Sequence, residues 1–166
     1  LNLTPYSEKG LIQAESLVST LESNASKFQV LFFDFNEKIE NQNQSLLELL
    51  QKLSEQNIVL VAAAGQPRQN EPSSMLAKTI FGQVKKAVII GEIGEKDRLI
   101  GQSYYGPEML TALRPPKEFI GQGYSPILFS ARLTKNFHKR DNWPSFLNEK
   151  KLKSKKIWLD LNDLFM

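Results

Sequence analysis

Residues 58–65 read Ile-Val-Leu-Val-Ala-Ala-Ala-Gly. A strand with one face in water alternates apolar and polar residues, whereas a strand covered on both faces reads as an unbroken apolar run. This stretch is of the second kind. The same signature stands at 28–35, where Val30, Leu31, Phe32 and Phe33 follow one another, and at 84–91, through Val88, Ile89 and Ile90. Between the first two runs, Leu46, Leu49, Leu50 and Leu53 recur at helical spacing, and Ser45 with Glu48 forms a capping-box pattern after a polar loop over 36–44. Leu11, Ala14, Val18 and Leu21 mark an earlier amphipathic helix over 7–22. Helix–strand–helix–strand order with short links predicts an α/β fold, a three-layer, mostly parallel sheet with helices on both faces.

Further along, a polar loop over 66–74 carries Pro67 and Pro72, and a short helix is expected over 75–81. Residues 94–105 read as turn, strand and loop, and Gly106-Pro107 and Pro115-Pro116 punctuate the chain beyond them. The last helix opens at Ser125, an expected N-cap, with Pro126 at the first helical position. Ile127, Leu128, Ala131 and Leu133 carry it towards Phe137, and Ile157, Leu159 and Leu161 alternate as a terminal strand does. The expected division is an α/β core over 1–137 and a basic segment over 138–166 whose strand packs on the same domain.

The chain has 166 residues, 41% apolar and 23% charged, which suits one globular domain and excludes disorder throughout. No stretch approaches the roughly 20 apolar residues of a membrane-spanning helix. Without cysteine there is no disulfide, thiol nucleophile or cysteine zinc site, and the single histidine, His138, leaves little for metal binding. No cofactor or metal is expected. The opening on Leu1, with neither Met nor a signal-like segment, leaves the compartment unread. Residues 132–156 hold nine Lys or Arg against two acids, while the rest of the chain is acidic. The basic patch Lys150, Lys151, Lys153, Lys155 and Lys156 reads first as a solvated face and second as a contact for nucleic acid or anionic lipid.

The strand ending Ala62-Ala63-Ala64-Gly65 resembles one in the subtilisin-like serine proteases, which ends in Ala-Ala-Gly followed by the oxyanion-hole Asn. Val88 to Gly94 is similar to the family's next strand and turn, and Gly101 to Pro107 to its Ser-rich loop ending in Tyr-Gly-Pro. Gly121-Gln122-Gly123-Tyr124-Ser125-Pro126 stands where the family has Gly-Thr-Ser-x-Ala-x-Pro opening a helix. The resemblance covers roughly residues 7–137 and implies the C-terminal part of a subtilisin-like fold, the family's Asp and His belonging to preceding segments. The departures are chemical. Gly123 aligns with the nucleophile and has no oxygen to attack with. Gln66 aligns with the oxyanion Asn and carries one methylene too many, where such donors sit about 2.7–3.1 Å from the developing charge. Ser125, one place from the family's spacing, is a weak alternative nucleophile with no base in view.

The resemblance therefore implies a catalytically inactive domain, a pseudoprotease acting as a protein- or peptide-binding scaffold. The alternative is the C-terminal part of a serine endopeptidase whose Asp and His lie outside this chain. Gln66, Tyr104, Tyr105 and Tyr124 are the expected lining of a peptide cleft, set against a plain packing role for the tyrosines. Two other patterns compete with ordinary loops. Asp34-Phe35-Asn36-Glu37 resembles the Asp-x-Asp of haloacid-dehalogenase phosphatases but has Asn36 where the second acid is needed. Gly91-Glu92-Ile93-Gly94 lacks the third glycine of a dinucleotide fingerprint and reads as a turn.

Overall fold

A computed structural model describes residues 14–56, 58–94, 96, 98–100, 103–109, 111–120, 123–136, 149 and 158–160. Helix α1 (Ala14–Asn24) leads to β1 (Val30–Phe33), α2 (Gln44–Ser54), β2 (Val59–Ala63), β3 (Val88–Glu92), β4 (Thr111–Arg114), α3 (Ser125–Asn136) and β5 (Trp158–Asp160). The five strands form one sheet in chain order, every neighbouring pair parallel. This is the α/β architecture that the apolar runs predict.

The register explains why those runs do not alternate. Val30 pairs with Val59 and Phe32 with Val61, and Val61 in turn pairs with Val88. Val61, Val88 and Ile90 face α3 through Phe129 and Leu133. The intervening Leu31, Phe33, Leu60, Ala62 and Ile89 face the opposite layer, where α1 and α2 bring Leu17, Leu21, Leu46, Leu50 and Leu53. Both faces of β2 and β3 are thus covered, and the half-buried Val30, Leu31 and Phe32 of β1 pack against the same two layers. Phe33, Phe35 and Phe81 close the end of the α1–α2 layer, Phe33 and Phe81 with ring centroids 4.9 Å apart.

Several boundaries differ from expectation. Of the first helix, residues up to 13, Leu11 among them, lie outside the described residues, and Leu17 joins Ala14 and Leu21 on its buried face. The Ser45–Glu48 capping box does not form, because α2 begins at Gln44 with Asn43 as its N-cap, two residues ahead of Ser45. The reciprocal box is Glu40 with Asn43, on the 3-10 turn Asn41–Asn43 that leads into α2. The helix expected over 75–81 is two 3-10 turns, Leu76–Lys78 and Phe81–Gln83. Among the described residues of 93–100, Ile93 and Leu99 make an antiparallel bridge and no strand, and β4 occupies a stretch in which no strand is expected.

At the last helix the carbonyl of Tyr124 accepts the amide of Leu128 at 2.9 Å, so Ser125 sits inside the first turn and is not its cap. Phe129 and Leu133 form its buried stripe, and Ile127 is turned outward. The terminal strand pairs with β4, Leu113 opposite Leu159.

Candidate functional site

The carboxyl ends of the strands carry the chemistry-bearing loops, the usual position for ligands on an open parallel sheet. Here the loop after β1 turns towards the α1–α2 layer and α3 begins on the other face, and between them opens a cleft of about 540 Å³. Its lining comes from the loop after β1 (Asp34 to Glu37), the end of β2 (Ala63 to Gln66), the end of β3 (Ile90 to Glu92), Ile100 and Ser103, and the start of α3 (Gly123, Tyr124, Pro126 and Ile127).

Two buried side chains build this end of the sheet. Asn36 donates from Nδ2 to the Ala64 carbonyl at 3.3 Å, and its Oδ1 accepts the Phe81 amide at 3.1 Å. It thereby fixes the loop after β1 against the end of β2. Gly65 makes this contact possible: its φ is +77°, and a Cβ there would collide with the Asn36 carbonyl. The final glycine of the Ala-Ala-Ala-Gly run is required by backbone geometry. Asn36 is therefore a structural crosslink, not a general acid.

The second is Glu92, the last residue of β3, only 3% exposed. Its Oε1 accepts the Gly123 amide at 3.0 Å and its Oε2 the Ser125 amide at 2.7 Å. A carboxylate so placed satisfies amides that the first turn of α3 leaves without helical partners, and its charge lies at the positive end of the helix dipole. Ser125 is fully buried, and its Oγ donates to the Leu113 carbonyl at 3.0 Å. The hydroxyl that would be a nucleophile is turned into the β4 backbone. This differs from the expected cap, in which it faces the helix amides.

No family model matches the chain, and no curated protein matches it. Among solved structures, the prenylagaramide maturation protease PagA is similar at a TM-score of 0.49 and 11% identity, over 89% of this chain and 59% of that one. The chain thus spans less than two thirds of that protease's length.

The four expected cleft residues separate. Gln66 and Tyr124 line the cleft, with Tyr124 stacked edge-on against Phe119 at 5.7 Å. Tyr104 is 2% exposed and donates its hydroxyl to Glu71 Oε2 at 2.6 Å, so it packs the loop over 66–74. Tyr105 is exposed away from the cleft lining, its amide on the Ser73 carbonyl. Arg68 crosses from the same loop to the one after β1, reaching Glu40 at 2.9 Å and Glu37 at 3.2 Å. Burial raises the carboxyl pKa of Glu37 despite Arg68, and partial burial raises that of Asp34. The Tyr104 hydrogen bond holds the Glu71 carboxyl below its ordinary value.

Gly123 stands at the cleft with φ of +77°. His138 and the basic patch Lys150, Lys151, Lys153, Lys155 and Lys156 lie outside the described residues. Among the described residues no cluster of acids and histidines could hold a metal, and no helix is long and apolar enough to cross a membrane. Sequence reasoning treats Glu92 as a turn residue. A carboxylate ending an otherwise apolar strand was the available signal.

Proposed function

We propose that this chain is a protease-like α/β domain that does not cut peptide bonds and holds an extended peptide in its cleft. One observation carries the reading: the Glu92 carboxylate accepts the amides of Gly123 and Ser125 at the start of α3. Acyl transfer requires N–H donors directed at the oxygen on which negative charge develops. Here such donors serve a fixed carboxylate, and a second negative charge beside it is repelled. The neighbouring groups agree. Gly123 has no hydroxyl, and a serine at its left-handed φ would be strained by about 1–3 kcal/mol. The Ser125 hydroxyl is committed to Leu113, and Gln66 is longer than the amide it replaces in the resemblance.

The cleft itself remains open. Its volume lies within the range of about 300–1,000 Å³ common to ligand sites. Loop backbone and pockets can hold an extended chain without a nucleophile.

The test exposes the full chain to a fluorophosphonate probe and, separately, to a random hexapeptide pool. The expected result is no serine adduct, with peptides retained by the wild type and not by Ile127→Glu. An adduct at Ser125 would overturn catalytic silence and favour an endopeptidase completed from outside this chain. Equal retention by the two proteins would overturn the assignment of the cleft.

A further inference from the structure

Resting on that reading, we propose that the cleft selects an extended peptide in which a lysine or arginine neighbours a bulky apolar residue. The two sides of the cleft differ in chemistry. β1 and β3 flank β2, and strands lie about 4.8 Å apart, so the loop after β1 stands roughly 10 Å from the Glu92 side. The β1 side presents Asp34 and Glu37. The other presents Ile100, Tyr124 and Ile127.

The apolar side is unusual for a surface. Among the described residues the exposed large hydrophobics are Tyr105, Tyr124 and Ile127, and the last two, 44% and 49% exposed, both border this cleft. Two exposed apolar side chains together at the rim of a concavity form an apolar edge that a ligand's apolar group can cover.

The charge on the opposite side sets what that molecule carries. Three carboxylates line the cleft and no Lys, Arg or His does, among the described residues. Glu92 commits both oxygens to amides, and Glu37 shares its charge with Arg68, which is not part of the lining. Asp34 makes no hydrogen bond or ion pair with the other described residues, and its carboxylate is the charge left for a ligand. An acidic segment would meet three negative groups. A basic side chain reaching Asp34, with its apolar neighbour on Tyr124 and Ile127, satisfies both sides at once.

The experiment compares three labelled peptides that differ at one position, lysine, norleucine or glutamate, each beside a leucine, by fluorescence anisotropy with the full chain at low salt. The lysine peptide should bind about fivefold more tightly than the norleucine peptide, the spacing of a partly exposed charge pair, and the glutamate peptide most weakly. Asp34→Asn should abolish the lysine preference, so that the lysine and norleucine peptides bind alike, and added salt should compress the wild-type series. Equal binding of lysine and norleucine peptides, lost in Ile127→Glu, would overturn the charge selection and leave the peptide cleft standing. An unchanged lysine preference in Asp34→Asn would overturn the assignment to that carboxylate. Binding of none of the three, with no retention from the random pool, would overturn both.

Discussion

Replacing Glu92 with alanine tests the contact on which the silent-site reading depends. The side chain is 3% exposed, and its two oxygens accept amides at 3.0 and 2.7 Å. Hydrogen bonds to a charged group are worth about 1.5–3 kcal/mol each, and a buried amide left without a partner carries a penalty of about 1–3 kcal/mol. The two amides differ in their access to solvent. Gly123 is exposed, so water can replace the carboxylate there. Ser125 is fully buried, and its amide would bear the full penalty. Loss of the favourable dipole contact adds about 0.3–1 kcal/mol. The expected destabilisation is about 2–4 kcal/mol for Glu92→Ala. It should be somewhat less for Glu92→Gln, which retains one acceptor but turns an NH2 group towards an N–H donor. Urea denaturation read by tryptophan fluorescence measures it as a shift in midpoint at constant slope. A change below about 0.5 kcal/mol, the scale of an ordinary surface substitution, would refute the claim that this carboxylate holds the start of α3.

Other outcomes rest on the same geometry. Gly65→Ala should destabilise by more than about 2 kcal/mol, because φ is +77° and the new Cβ meets the Asn36 carbonyl, and thermal unfolding will show it. Tyr104→Phe should lower stability by about 1 kcal/mol through loss of the bond to Glu71. Glu71, held low by that bond, contributes stability above the unfolded carboxyl value of about 4.3 that is lost as pH falls through its folded value, and the variant should weaken this acid dependence. Asp34 has the opposite sign. Its pKa is raised by burial, so its ionisation destabilises the fold as pH rises past the unfolded value of about 3.9. Asp34→Asn should therefore be more stable than wild type at neutral pH, with the difference vanishing in acid, in a denaturation series across pH.

The parallel sheet was legible because β2 and β3 are buried on both faces and β1 packs against a layer on each, and cover on both sides leaves its mark in consecutive residues. The leucines of α2 were equally plain, their spacing being set by one neighbouring layer. β4 was missed for a physical reason: Thr111–Arg114 is four residues beside Pro115 and Pro116, and its pairing with β3 and β5, remote in sequence, makes it a strand. The capping error at α2 has a related cause. Ser45–Glu48 and Glu40–Asn43 both carry suitable side chains, and the entry angle of the chain chooses between them. Gln66 and Tyr124 reach the cleft lining from the loops that carry them, while Tyr104 goes to the interior, where Glu71 offers its hydroxyl a partner.

By itself the sequence determined what each segment must hide from water, and so the class of fold and the order of its layers. It also determined that Gly123 has no oxygen to attack with, since that is a matter of covalent structure. Only the tertiary structure decided where the charges go. Glu92 and Ser125 are 33 residues apart, and nothing local to either residue sends a carboxylate to the first turn of α3. Hydrophobic burial is written in neighbouring residues, but a hydrogen bond across the sheet exists only once two distant backbones have been brought to within about three ångströms.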